Sequence, residues 1–176
     1  KPTTEELDHD FLWRVHKEVP AKGQIAIFNR SHYEDIIAVR VKKIFPDPVW
    51  KRRYKHVLDF ESMLAEEGTV IIKLFLNISK EEQKKRLESR LQDPDKLWKF
   101  CMDDLDDRNR WDEFQTAYQD LIEKTSTPEA PWYIIPADRK WYRNLVVARL
   151  MVEKLRHLQL SLPTPNFDPA SIIIPD

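Results

Sequence analysis

The chain has 176 residues, enough for one domain with a sizeable core. Its 29 lysines and arginines against 30 aspartates and glutamates give a formal net charge of -1, which argues against a general nucleic-acid coat protein but leaves room for a local basic groove. With 8 Phe, 6 Trp and 5 Tyr, disorder is excluded as the default, and Lys73 and Arg149 interrupt the longest apolar runs, so no segment reads as a membrane span. The polar start from Lys1 to Asp10 shows no signal peptide. The single cysteine, Cys101, excludes an internal disulfide or a multi-thiolate zinc site, suits a reducing cytoplasm, and reads as a packing residue. Gly23 and Gly68 are the only glycines, where about a dozen would be usual, so a glycine-rich phosphate loop is absent from the sequence.

Thr3 and Glu6 form a capping box that opens a helix carrying Leu7, Phe11, Leu12 and Val15 on one face, closed by Pro20. Gln24 to Phe28 reads as a short buried strand, and Ser31 can cap a following helix with Ile36, Ile37 and Arg40. Pro48 suits the first turn of a helix that aligns Trp50, Tyr54, Val57, Leu58 and Leu64, with Gly68 just past its end. Thr69 to Leu76 (TVIIKLFL) is the strongest strand signal. A second capping box, Ser79 to Glu82, opens a very polar helix to about Gln92. Residues 93–110 are charged and irregular; Trp111 to Lys124 is again helical, and Trp132 to Ile135 is a strand bracketed by prolines. Arg139 to Leu160 predicts a long amphipathic helix (Trp141, Leu145, Val146, Leu150, Val152, Leu155), and residues 161–176 a proline-rich tail. Hydrophobic strands alternating with helices imply an α/β fold with a mostly parallel sheet covered by helices on both faces. Three strands are too few for such a sheet, so a strand or two is expected from elsewhere.

In parallel α/β sheets, ligands bind beyond the carboxyl ends of the strands. Asn29 to Asp35 falls there: a polar acceptor at residue 29 can position hydrated Mg²⁺, and Arg30 can engage a phosphate through two parallel hydrogen bonds; a capped turn with a solvated arginine is the plainer alternative. Arg108 and Arg110, in an acidic charged stretch, suit a lid that neutralises transferring phosphates; the acidic cluster itself could hold metal, but reads more plainly as a solvated loop. Lys42, Lys43, Lys51, Arg52, Arg53, Lys55 and His56, interleaved with Phe45, Trp50 and Tyr54, favour a polyanion on one face, or else form an ordinary solvated helix face. The histidines show no metal-ligand spacing.

Several stretches together carry a resemblance. They are Phe11 to Arg14 (FLWR), Gly23 to Asp35 (GQIAIFNRSHYED), Trp98 to Phe100, Asp107 to Asp112 (DRNRWD) and Ala130 to Ala137 (APWYIIPA). In this order the sequence resembles the polyphosphate kinase 2 family over nearly its whole length, and is most similar to its class III branch. The resemblance implies a three-layer P-loop kinase-like fold with a helical lid at about 93–112, in a domain over residues 1–160. It also implies transfer of the terminal phosphoryl group of inorganic polyphosphate to the nucleoside mono- and diphosphates AMP and ADP, with Mg²⁺ as cofactor, in a cytoplasmic homo-oligomer (dimer or tetramer). Carried over by residue, Asn29 falls at the Walker B position, where many relatives have Asp, with Arg30 beside it. Glu34 matches an acidic residue near acceptor and metal, Arg108 and Arg110 match lid arginines, and Lys42, Lys43, Arg52, Arg53 and Lys55 would line the polyphosphate channel with Trp111 nearby. The family's Walker A segment falls before residue 1. The parent protein is therefore expected to carry roughly 80–100 further amino-terminal residues holding a strand and a loop ending in Gly-Lys, without which the chain alone would be inactive. An ATP-dependent nucleoside monophosphate kinase and a non-catalytic polyanion-binding fragment are the rival readings.

Overall fold

A computed structural model describes residues 2–175; Lys1 and Asp176, the outermost positions of the expected domain and tail, lie outside the described residues. The elements in chain order are α1 (Thr4–Asp8), α2 (Trp13–His16), α3 (Glu34–Val41), α4 (Asp47–Glu66), β1 (Lys73–Asn77), α5 (Lys80–Gln92), α6 (Asp103–Asn109), α7 (Trp111–Thr125), β2 (Trp132–Pro136) and α8 (Lys140–His157), with 3-10 turns at Pro94–Lys99 and Pro169–Ser171.

Local chemistry sets most boundaries. Thr3 and Glu6 make the expected capping box at α1. The helix expected to run on to Pro20 is divided instead, because His9 turns extended and the Asp10 carboxylate accepts the Leu12 N–H at 2.9 Å. Ser31 serves α3 through its carbonyl, which accepts the Glu34 N–H at 3.0 Å, while Tyr33 holds the cap position. Two helices close with a left-handed residue and a six-residue backbone hydrogen bond: Gly68 (φ 92°) after α4, with Thr69 N–H on Leu64 C=O, and Lys43 (φ 53°) after α3, with Ile44 N–H on Val39 C=O. Ser79 caps α5 by accepting the Glu82 N–H at 3.1 Å, but the expected box does not close, because the Ser79 N–H donates to Asp138 Oδ1 at 2.8 Å instead of to Glu82. The stretch 93–110, expected to be irregular, winds into a 3-10 turn capped by Asp93 and then α6.

The core lies where α3, α4 and α7 meet, with Ile36, Ile37, Val57, Ala117 and Leu121 fully buried and Trp50 and Tyr54 beside them. β1 and β2 form a two-stranded parallel sheet, registered from Lys73 opposite Trp132 to Asn77 opposite Pro136. The strand expected at residues 24–28 is corrected: the segment is extended but unpaired, and Ile25 and Ile27 are 66% and 87% exposed. A ladder needs a neighbour, and none of the described residues stands beside it. For the same reason the apolar stripe of α8 is only half covered: β2 backs it, while Trp141, Leu145 and Val152 stay exposed. Cys101, expected in the packing, is exposed on the loop before α6.

The sheet is tied to the helices by a buried polar cluster. Lys73 Nζ donates to Glu61 Oε2 at 2.6 Å, to Thr125 C=O at 2.7 Å and to the Tyr33 hydroxyl at 3.1 Å; Tyr33 in turn donates to Glu61 Oε1 at 2.7 Å. The side chains of Lys73 and Glu61 are 5% and 4% exposed, so the charge survives burial through saturation with partners.

Candidate phosphate-binding site

The carboxyl end of β1 opens into a cleft of about 460 Å³ between α3, α5, α6 and α7. Phe75, Leu76 and Asn77 of β1 line it together with four cations: Arg30 and Lys42 from the two ends of α3, and Arg86 and Arg90 from α5. An aromatic stripe on α7, Trp111, Phe114 and Tyr118, lines it as well. A concave, cation-lined cleft at a strand's carboxyl end suits an anionic ligand that carries an apolar portion.

Arg30 reaches the cleft from a left-handed backbone, φ 73°, at the turn between the extended segment and α3. A non-glycine residue there costs about 1–3 kcal/mol. Glu34, on the first turn of α3, is the carboxylate facing it. Burial pushes the Glu34 pKa up, the Arg30 charge opposes that shift, and Asp35 and Asp107 reinforce it. Its carboxylate makes no hydrogen bond or ion pair among the described residues, unlike Asp107, which pairs with Lys42 at 2.7 Å, or Asp104, which pairs with Arg90 at 3.2 Å. Burial, reinforced by the Glu34 carboxylate, pushes the Tyr118 phenol up to about 12, so it stays protonated.

Of the residues expected from sequence, Arg30, Glu34, Lys42 and Trp111 come together in this cleft. Arg108 and Arg110 are engaged behind it. Arg108 Nη1 donates to Lys80 C=O at 2.7 Å and Gln83 Oε1 at 2.9 Å, and Arg110 Nη1 donates to Val41 C=O at 2.9 Å. Asn29 is exposed at the strand-like segment's end, outside the cleft lining. Lys43 and Arg52 are exposed, Lys55 pairs with Asp59 one turn along α4, and Arg53 donates to Asp35 C=O at 2.5 Å between Phe11 and Phe45. The sequence reading passed over Asn77, Arg86 and Arg90, and took Asp104 and Asp107, which line the cleft, for part of a solvated loop. The strand-end rule would have found Asn77 had it been applied to TVIIKLFL, and Gln83, Leu87 and Arg90 recur at the spacing of one helical face.

No cluster of three or more metal-ligating side chains exists among the described residues, so no all-protein metal cage is formed. A hydrated Mg²⁺ held between substrate phosphates needs only one or two carboxylates, and the unpaired Glu34 carboxylate in the cleft fits that demand.

Fold and cleft together define an α/β protein with a cation-lined cleft at the carboxyl end of a parallel strand. The polyphosphate kinase 2 family profile matches residues 1–162, and the chain belongs to that family. It is 54% identical to the AMP/ADP-polyphosphate phosphotransferase of Meiothermus ruber, over 98% of this chain and 65% of that protein. It is 38% identical to the ADP-polyphosphate phosphotransferase of Rhodopseudomonas palustris, over 92% of this chain and 60% of that protein. The crystal structure of polyphosphate kinase 2 from Arthrobacter aurescens TC1 superposes with a TM-score of 0.92 at 49% identity, covering 97% of this chain and 60% of that one. The chain thus spans under two thirds of the length of these relatives.

Proposed function

We propose that this chain forms the greater part of a polyphosphate:nucleotide phosphotransferase of P-loop kinase-like fold, which moves the terminal phosphoryl group of inorganic polyphosphate to AMP and ADP. The observation that carries this reading is the cleft beyond β1, with Arg30, Lys42, Arg86 and Arg90 around it, in a chain 54% identical to a protein named for AMP/ADP-polyphosphate phosphotransfer.

The chemistry asks little of a base. A phosphate oxygen of the acceptor attacks the terminal phosphorus, the bridging P–O bond to the rest of the polyphosphate breaks, and the shortened chain leaves with the bridging oxygen. The nucleophile is already an anion, so positioning and charge neutralisation supply the catalysis. Arg30 offers a planar fork to one phosphate, and Lys42 offers a point charge in the same cleft. Trp111 and its aromatic neighbours give the acceptor's apolar portion a surface to lie against. Arg108 and Arg110, on a lid over about 93–112, would leave their backbone carbonyls to meet charge developing in the transition state. Glu34, with Asn29 reaching the same ion through water, would hold Mg²⁺, which when bound neutralises charge on the phosphoryl oxygens. The exposed Lys43, Arg52 and Lys55 would extend the positive track for the polymer's distal part; Arg53 is committed to Asp35 and joins that track only by its charge.

The test is a donor swap. The protein, produced from the whole reading frame that contains this chain, is assayed with Mg²⁺ and either AMP or ADP, using polyphosphate or ATP as donor. ADP and ATP formed from polyphosphate support the reading; turnover with ATP alone replaces it with a nucleoside monophosphate kinase.

A further inference from the structure

Two ion pairs cross the cleft, and both carboxylates come from one helix. α6 carries four aspartates, of which Asp104 and Asp107, one turn apart, face the cleft. Asp104 takes Arg90 of α5 at 3.2 Å, and Asp107 takes Lys42 of α3 at 2.7 Å. Arg90 and Lys42 come from different helices and, with Arg30 and Arg86, make up the cations of the cleft lining. All four paired side chains are 34–37% exposed, a setting in which an ion pair is weak and easily exchanged.

We propose that Asp104 and Asp107 are internal counter-ions that hold the places of substrate phosphates on Arg90 and Lys42, and that they set the affinity of the cleft for oligophosphate. The inference rests on the functional reading above and adds Arg90 as a phosphate-binding residue. A terminal phosphate carries more charge than a carboxylate and offers three oxygens to a guanidinium, and the linked phosphates of one chain engage both cations together, so the oligophosphate wins the exchange. Filled by aspartates, the cleft does not retain stray monovalent anions; an oligophosphate long enough to reach both Arg90 and Lys42 displaces both carboxylates at once. The displacement also frees α6 from two of its anchors, while the Arg108 bonds from the helix and the Arg110 bond just past its end, all to neutral acceptors, are unaffected by the exchange.

The test measures binding of tripolyphosphate, by calorimetry with EDTA present so that no divalent ion takes part. Asp104→Asn/Asp107→Asn is expected to bind roughly three- to tenfold more tightly than the wild type, the yield of releasing two exposed pairs. Glu88→Gln, which removes a negative charge from α5 outside the cleft, should change affinity less than twofold. Adding Arg90→Gln to the double variant should cancel much of the gain. Unchanged or weaker binding in the double variant overturns the proposal, as does an equal gain in Glu88→Gln or a gain that survives loss of Arg90. Melting temperatures of all variants establish that the folded state is compared. Turnover is measured separately: a wild type that fails to phosphorylate AMP or ADP from polyphosphate, while the double variant still gains affinity, removes the functional reading and leaves the counter-ion exchange standing.

Discussion

Replacing Lys73 by Met removes the positive half of a pair whose side chains are 5% and 4% exposed. The Glu61 carboxylate would keep the Tyr33 hydroxyl at 2.7 Å and His32 Nε2 at 3.4 Å, and Thr125 C=O would lose its 2.7 Å donor. Breaking a buried pair from one side costs about 3–5 kcal/mol. At about 2–4 °C per kcal/mol for a protein of this size, the melting temperature should fall by roughly 6–20 °C. Lys73→Met/Glu61→Leu removes both charges and should recover to within about 2 kcal/mol of wild type, the remainder being the orphaned Thr125 and Tyr33 groups. The pH dependence carries the sharper test. Burial alone would raise the Glu61 pKa, but hydrogen bonds from His32, Lys73 and Tyr33 and the Lys73 charge hold it below the usual carboxylate range. In the wild type this contribution is present above the unfolded carboxylate pKa of about 4.3 and is lost as pH falls through the lower folded value. In Lys73→Met burial dominates, the folded pKa of Glu61 rises, and its penalty is relieved as acid protonates it. The gap in melting temperature between wild type and Lys73→Met should therefore be widest near neutrality and narrow toward pH 4.5. A loss below about 1 kcal/mol at pH 7, or a gap that does not change with pH, refutes this account of the cluster.

Arg108→Ala should lower turnover on the order of 10³-fold while costing only about 1–3 kcal/mol for its two hydrogen bonds to neutral acceptors; near-normal turnover would leave Arg108 a purely structural tie. Because burial raises the Glu34 pKa, the carboxylate form is lost at a higher pH than for an exposed glutamate. Activity should fall as pH drops through that raised value, and Glu34→Gln should lower rates with both AMP and ADP and abolish this acid limb; an unchanged pH–rate profile removes Glu34 from the site. Asn29→Asp should shift the ratio of AMP to ADP turnover without abolishing activity, and a constant ratio in paired steady-state assays removes residue 29 from acceptor choice.

The parts of the fold written in short-range chemistry were legible: the Thr3 capping box, Gly68 after α4, and the apolar faces of α4 and α7 stand as the residues imply, and of the box expected at Ser79 the side-chain half forms. Pairing was not, because Gln24–Phe28 has the composition of a strand, yet a ladder depends on a neighbour that composition does not reveal. The site divided in the same way. Arg30, Glu34, Lys42 and Trp111 could be placed from a strand end and from motif similarity. Arg90 and Asp107 could not, since Arg90 reads as one charge among many on a polar helix and Asp107 as part of a solvated loop until folding pairs Arg90 with Asp104 and Asp107 with Lys42.

Lys73 has a second consequence, and it concerns the chain before it folds. TVIIKLFL without its lysine is seven residues of high β-propensity, with neither proline nor glycine, the composition that assembles between molecules into cross-β aggregates. A single ammonium in the middle breaks the run, as charged residues do beside hydrophobic strands that cannot be dispensed with. A surface strand would carry such a residue on its solvent face at no expense. Here the strand is needed inside, so the guard goes in with it, and Glu61 is the residue that lets the native interior accept a charge whose benefit is felt on the ribosome and after every unfolding event. Neutralising both residues would thus be expected to recover most of the melting temperature lost in Lys73→Met and still lower the yield of soluble protein on refolding.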